Sequence, residues 1–372
     1  MWTFKIPTEI VFGMDSSQLA AERAGQMGNK PVLAVDPGLT SIDAFQPLIG
    51  QFGGTSHFTD IEPNPTVDNV NALASLITAE KADVLIALGG GSTMDCAKAA
   101  CCLAASGDSH IQPYHQGEKK IQGKGIPLIA IPTTAGTGSE VTPFSVLDDP
   151  ASGRKAPLAS DHLYPDLALV DPGLTLTLPK KITAATALDA LSHAIEGYWS
   201  RNHQPICDLL AIEAARLIFT HLEKALRDGN SRESRSGLMQ AALLAGLAFQ
   251  LPKNAFVHAC SFPLSCHCGL SHGEACAFTL EYAIQMNAPH MGGRMEAFAE
   301  GCGFDSIEAM TGRIRDLKIL GGLPCSLEDA GIDAALAGTL IKESFHPLMN
   351  NNPKTVTEED VAAFYATAGS ST

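Results

Sequence analysis

A chain of 372 residues, 45% hydrophobic and 17% charged, can bury two cores of ordinary domain size without disulfide staples, and this composition excludes a disordered or fibrous protein. Its formal net charge of −15 opposes a polyanionic partner, because affinity for nucleic acid or an anionic membrane rests largely on Lys and Arg neutralising phosphates. The N-terminus lacks a basic segment followed by an apolar run, and no window reaches the length of a membrane span, so a cytoplasmic protein is expected.

From Lys30 onward, short apolar runs alternate with longer amphipathic ones. Residues 31–36, 82–91 and 126–132 read as buried strands, with helices over 67–81 and 94–103, which is the signature of a parallel α/β sheet. Asp36, at the end of the first strand, is placed to take ribose hydroxyls and repel a 2′-phosphate, favouring NAD over NADP; capping a following helix is the other use of an acid there. Gly89, Gly90, Gly91 and Ser92 follow the second strand and open a helix that runs on through Asp95. Three missing Cβ atoms and the free N–H groups of a helix start suit a pyrophosphate. The spacing matches neither common nucleotide fingerprint, so a plain tight turn is the alternative. Residues 132–140, PTTAGTGSE, make a second small turn after a strand and offer the hydroxyls of Thr133, Thr134, Thr137 and Ser139. Two such turns at successive strand ends argue for one nucleotide laid across them.

After a last strand over 167–173 the pattern changes, and residues 182–198, 207–227 and 235–249 show helical periodicity. We therefore expect an α/β nucleotide-binding domain over 1–179 and a helical domain over 180–372, with the ligand in a cleft between them. Near the end, residues 350–353 suggest a loop, and Thr357 with Asp360 a helix start.

Asp189 and His193 stand four apart on the first helix of the second half, so both project from one face. The segment 254–277 places His258, His267 and His272 in a small, apolar stretch that has few structural uses for imidazole. One carboxylate with three imidazoles, Asp189, His193, His258 and His272, suits Fe(II) or Zn(II) with a position left for a substrate oxygen. The ten cysteines lie mostly in apolar helical patterns and read as reduced and structural; Cys266 and Cys268, flanking His267, read as packing residues.

In these motifs the chain resembles the iron-containing (group III) alcohol dehydrogenases. The likeness runs from Phe12-Gly13 through PNPTVDNV (63–70), GGGSTMD (89–95), PTTAGTGSE (132–140) and DALSHAIEGY (189–198) to His258 and His272. It implies a dehydroquinate-synthase-like architecture, NAD(H) with one divalent metal, a homodimer, and ligands at Asp189, His193, His258 and His272. It further implies cofactor contacts from residues 89–92 and from Thr133 and Thr134, Lys155 as a cofactor-side lysine, and Asp36 as the acid that disfavours NADP. There are two departures. The family pattern H-A-x-A-H-P-L-G appears as HACSFPLS, with Phe262 where a second histidine usually lines the site, which leaves His267 or water to supply the proton. Lys253, five residues before His258, suggests an anionic substrate if it faces the cleft, whereas a lysine at a helix end can equally extend to solvent. Arg201 is a weaker candidate for the same task.

The wording of this segment resembles the branch that reduces phosphonoacetaldehyde to 2-hydroxyethylphosphonate, which would place the protein in phosphonate metabolism. The expected reaction is NADH-dependent, metal-assisted reduction of a small aldehyde to a primary alcohol, with phosphonoacetaldehyde as the first candidate. Sulfoacetaldehyde, a general alcohol or diol, a 4-hydroxybutyrate-type substrate, and lyase or cyclase chemistry on the same scaffold are the alternatives.

Overall fold

A computed structural model describes residues 2–367, which divide into two compact units: Lys5–Thr134 with Gly138–Thr177, and the helical remainder from Leu178 onward, with which residues 2–4 and Ala135–Thr137 cluster. The first unit contains strands β1 (Glu9–Phe12), β2 (Pro31–Val35), β3 (Ser56–Phe58), β4 (Val84–Gly89), β5 (Leu128–Pro132), β6 (Phe144–Asp149), β7 (Arg154–Ala159) and β8 (Leu167–Val170). Its helices are α1 (Ala20–Met27), α2 (Gln46–Gly50), α3 (Val67–Glu80), α4 (Gly91–Ser106) and α5 (Gln112–His115).

Six strands form one parallel sheet in the order β1-β8-β5-β4-β2-β3, while β6 and β7 pair as a separate antiparallel hairpin. Because both faces of the sheet are covered, its central strands are apolar at every position. Val32, Ala34, Leu85, Ala87 and Leu128 join one core with residues of α3 and α4, and Leu33, Val35, Val84, Ile86, Leu88 and Ile129 join another with Ala20, Ala24 and Leu48. The strands read at 31–36, 82–91, 126–132 and 167–173 correspond to β2, β4, β5 and β8. Not foreseen were β1, β3 and the hairpin, which are short, exposed at alternate positions or, in β7, interrupted by Pro157.

The second unit contains α6 (Lys180–Trp199), α7 (Pro205–Arg227), α8 (Arg232–Phe249), α9 (Phe256–Cys268), α10 (His272–Asn287), α11 (Arg294–Gly301), α12 (Ile307–Gly321), α13 (Ala334–Glu343) and α14 (Glu358–Thr367). The segment expected as a loop at 350–353 is preceded by a 3-10 turn over Pro347–Asn351. Thr357 and Asp360 exchange the expected capping bonds at the start of α14.

α6 organises this unit. From Ala187 to Trp199 every residue is buried, and the helix packs against α7, α8, α10 and α12. Buried Arg235 ties down its start, donating to Thr183 Oγ1 at 2.7 Å, to Leu178 O at 3.2 Å and to Gly229 O at 2.9 Å. Alanine and glycine at the crossings let the helices approach closely. A Cβ on Gly321 of α12 would lie 2.3 Å from the Cβ of Ala184 in α6, whereas one on Gly312 of the same helix would meet nothing within 4 Å. Alanine ordinarily favours a helix by about 1 kcal/mol over glycine, and overpacking a core costs about 1–3 kcal/mol. Gly321→Ala is therefore expected to lower the unfolding free energy by ~1–2 kcal/mol in urea titration, while Gly312→Ala is neutral or stabilising.

Candidate metal centre

Asp189 and His193 lie one turn apart on one face of α6 and are 2% and 4% exposed. His258 enters from α9, 3% exposed, and His272 opens α10 with a side chain 30% exposed. The four residues expected from the sequence thus come from three helices of one unit. His258 Nε2 lies 2.9 Å from His193 Nε2, and Asp189 Oδ1 lies 3.7 Å from His258 Nε2 and 3.6 Å from His272 Nε2. His193 also stacks on Phe249 with ring centroids 4.2 Å apart, which fixes its plane.

These separations suit one small cation. Metal–nitrogen and metal–oxygen bonds of about 2.0–2.1 Å at tetrahedral angles put ligand atoms about 3.3 Å apart. Asp189 Oδ1 is buried with no hydrogen-bond partner, an arrangement that is unfavourable for a carboxylate unless something positive meets it. Burial accordingly pushes the Asp189 carboxyl up to about 6, and burial together with the neighbouring imidazoles holds His193 well below its ordinary value. The residues present therefore fit a divalent ion.

Two contributors were not assigned from the sequence. Glu196, one turn beyond His193 on α6, is fully buried and accepts from Val257 N at 2.7 Å and from His258 Nδ1 at 2.6 Å. The bond to Nδ1 fixes the tautomer and leaves the Nε2 lone pair of His258 pointing at the cluster. Cys276, one turn along α10 from His272, places Sγ 3.8 Å from His272 Nε2, and the donor atoms of Asp189, His258, His272 and Cys276 all lie within 4.8 Å of one another. Spacing could have identified both, since each stands three or four residues from an expected ligand. An acid and a cysteine on apolar helices, however, look structural in sequence.

His267 is not gathered into this cluster. It stands nine residues after His258 on α9, about 13 Å along the axis and half a turn around, and its Nε2 contacts Glu343 Oε2 at 2.6 Å on an exposed surface. Phe262, one turn from His258, instead meets His346 edge-on with centroids 5.1 Å apart. Lys253 is exposed in the link between α8 and α9, with a left-handed backbone at φ 67° and its N–H donating to Phe249 O at 2.7 Å. Ser200 Oγ, 2.7 Å from Pro252 O, and Asn351 Nδ2, 2.8 Å from Asn254 O, pin the link on either side. Arg201 is engaged elsewhere, donating to Thr355 Oγ1 at 3.0 Å.

In the α/β unit the helix after the glycine turn begins at Gly91, with Gly90 as its cap, so the first free N–H groups lie at the turn itself. Asn64, in a left-handed conformation, links Ser92 and Lys155: its N–H donates to Ser92 Oγ at 3.2 Å and its Oδ1 accepts from Lys155 Nζ at 2.8 Å. The lysine is thereby held beside the turn. Asp95 and Ser139 bond each other at 2.5 Å, and Asp95 also accepts from Val146 N at 2.8 Å. These two residues join the first turn to the second and have less polar capacity left for a ligand than the sequence suggested. Thr133 is buried, its N–H donating to Gly89 O at 3.0 Å, while Thr134 and Thr137 are half-buried. Asp36 Oδ1 accepts from Gly38 N at 2.8 Å, capping a short 3-10 turn.

Comparison with known proteins agrees with this arrangement. The family model described as iron-containing alcohol dehydrogenase matches residues 7–172, and that of the Fe-containing alcohol dehydrogenase family, C-terminal, matches residues 183–369. Alcohol dehydrogenase 4 of Schizosaccharomyces pombe is 33% identical over 98% of this chain and 88% of its own. Sulfoacetaldehyde reductase of Bilophila wadsworthia is 30% identical over 95% of this chain and 96% of its own. The crystal structure of sulfoacetaldehyde reductase from Bifidobacterium kashiwanohense in complex with NAD+ superposes with a TM-score of 0.95 at 40% identity, covering 100% of both chains. With both family models covering nearly its whole length and a buried cluster of carboxylate, imidazole and thiol donors in the helical unit, the chain belongs to the iron-containing alcohol dehydrogenase family, as an oxidoreductase that uses NAD(H) and a divalent metal.

Proposed function

We propose that the protein reduces a small aldehyde carrying a sulfonate or phosphonate to the corresponding primary alcohol, with NADH as reductant. The observation that carries the anionic substrate is Lys253. Among the described residues its ammonium has no ion-pair or hydrogen-bond partner, although its backbone is pinned in a left-handed conformation five residues before His258. Two relatives named as sulfoacetaldehyde reductases support a sulfonate ahead of the phosphonate suggested by sequence wording. Phosphonoacetaldehyde remains a close physical analogue.

When bound, the metal supplies Lewis-acid polarisation of the carbonyl oxygen and NADH supplies the hydride. Asp189, His193, His258 and His272 would hold the ion, and Glu196 keeps His258 in the tautomer that can do so. The side of the cluster at His272 is the one open to water, since the other three ligands are almost fully buried. Substrate enters there, and the proton that completes the alcohol comes from water on the same side, with His267 too far along α9 to provide it. The residues at the α/β turns, Gly89, Gly90, Gly91, Ser92, Thr133, Thr134 and Lys155, would hold the cofactor phosphates and ribose, with Thr137 a further hydroxyl donor.

A general alcohol dehydrogenase is the second reading, because the relatives also include 1-propanol and 1,3-propanediol dehydrogenases. Comparing kcat/KM for sulfoacetaldehyde, phosphonoacetaldehyde and propanal on metal-loaded protein separates the two. We expect a preference of ~100-fold for the anionic aldehydes, about 2.7 kcal/mol in the transition state, and a loss of most of it in Lys253→Ala. Equal rates with propanal would refute the anionic site.

Glu196→Gln offers an amide N–H to His258 Nδ1 and so favours the wrong tautomer. Affinity for Zn(II), measured by chelator competition, is expected to fall ~10–100-fold with the far-ultraviolet spectrum unchanged.

A further inference from the structure

We propose that Cys276 is itself a ligand of the metal, so that this site binds through sulfur as well as oxygen and nitrogen. The inference rests on the same metal centre as the proposed function but adds a donor. His272 and Cys276 stand four apart on α10 just as Asp189 and His193 do on α6, so each helix turns two donors toward one point, with His258 completing the set from α9. A metal–sulfur bond of about 2.3 Å and a metal–nitrogen bond of about 2.05 Å at a tetrahedral angle put the two ligand atoms about 3.6 Å apart. The observed separation of Cys276 Sγ from His272 Nε2 is 3.8 Å. Asp189 Oδ1, buried and without a hydrogen-bond partner, belongs to the same group of atoms.

A packing role accounts for this thiol less well. Buried cysteines ordinarily behave as small hydrophobes. Cys276 is fully buried, yet it lies in a group with a carboxylate and two imidazoles, where an apolar side chain gains nothing from its neighbours. On ligation the thiol proton passes to solvent and the thiolate bonds the ion. Five protein donors then surround the metal, leaving one position for the substrate oxygen. A thiolate in the set biases selection toward zinc and cobalt and away from magnesium and manganese.

The test is the electronic spectrum of the full-length protein freed of metal and loaded with a single equivalent of Co(II). A cobalt–thiolate bond gives a near-ultraviolet charge-transfer band that oxygen and nitrogen ligands do not. We expect that band in the wild-type protein and its loss in Cys276→Ala, with the visible ligand-field bands and single-site stoichiometry retained. Affinity for Zn(II) should fall roughly 10-fold or more in the variant. Ligand-field bands without the charge-transfer band in the wild type, or an undiminished band in Cys276→Ala, would overturn the sulfur ligand while leaving the metal centre intact. Failure to bind cobalt at all would overturn both. The wild-type spectrum decides the question even if the variant does not fold.

Discussion

The helical unit is built around an unfavourable atom, the Oδ1 of Asp189, which is removed from water and given no hydrogen bond. Leaving a buried carboxylate oxygen unpaired costs more than most single contacts return, so the groups around it must compensate. Three imidazoles, a thiol and, one turn away, the carboxylate of Glu196 surround it on α6, α9 and α10. Such convergence requires helix axes to come close, and the small residues of these helices permit it. A Cβ on Gly273, beside His272, would lie 2.3 Å from Ala185 O, so the position of the imidazole at the head of α10 depends on that glycine having no side chain. Packing and chemistry are therefore one constraint here.

Glu196 shows why the first ring of donors is insufficient by itself. Its two oxygens are both committed, one to the Val257 N–H and one to His258 Nδ1, so the start of α9 and the orientation of its imidazole are set by one buried side chain. The charge-assisted bond to Nδ1 also makes Nε2 more basic, which strengthens any bond it forms to a cation.

Legibility in sequence followed burial. The central strands β2, β4, β5 and β8 stood out because a parallel sheet covered on both faces leaves no polar alternation, and the long helices showed their period over many turns. Edge strand β3 and hairpin strand β7 carry a charge, a histidine or a proline in their short spans and gave no comparable signal. Asp189 and His193 were visible because four residues make one helical turn. Glu196 and Cys276 obey the same spacing but were hidden among residues that also pack well in apolar helices. His267 misled for the converse reason: proximity in sequence to His258 meant little once α9 continued through both, carrying them to opposite faces. Asp95 and Ser139 are 44 residues apart, and only the fold could reveal that they bond to each other. Beneath them Lys98 donates to Ser139 O at 2.9 Å and approaches Asp95 at 3.3 Å, while burial pushes the carboxyl of nearby Glu140 up to about 7. Polar residues in these two turns thus brace the loops against each other, and the backbone N–H groups at the head of α4 are left to meet a phosphate.

An anionic substrate seems at odds with a chain of net charge −15. At physiological ionic strength, however, the Debye length is about 8 Å, so most of those charges are screened from a molecule in the site and the nearest cation decides. Lys253 is suited to that task by its backbone as much as by its charge. A left-handed residue other than glycine is strained by about 1–2 kcal/mol, and a glycine at the same place would relieve it. The strained conformation is held by bonds from Ser200 and Asn351 to the residues on either side, which fix where the side chain leaves the link. If the ammonium meets a sulfonate or phosphonate there, their pairing in a partly desolvated setting exceeds that strain, whereas with a neutral aldehyde the strain would go unopposed.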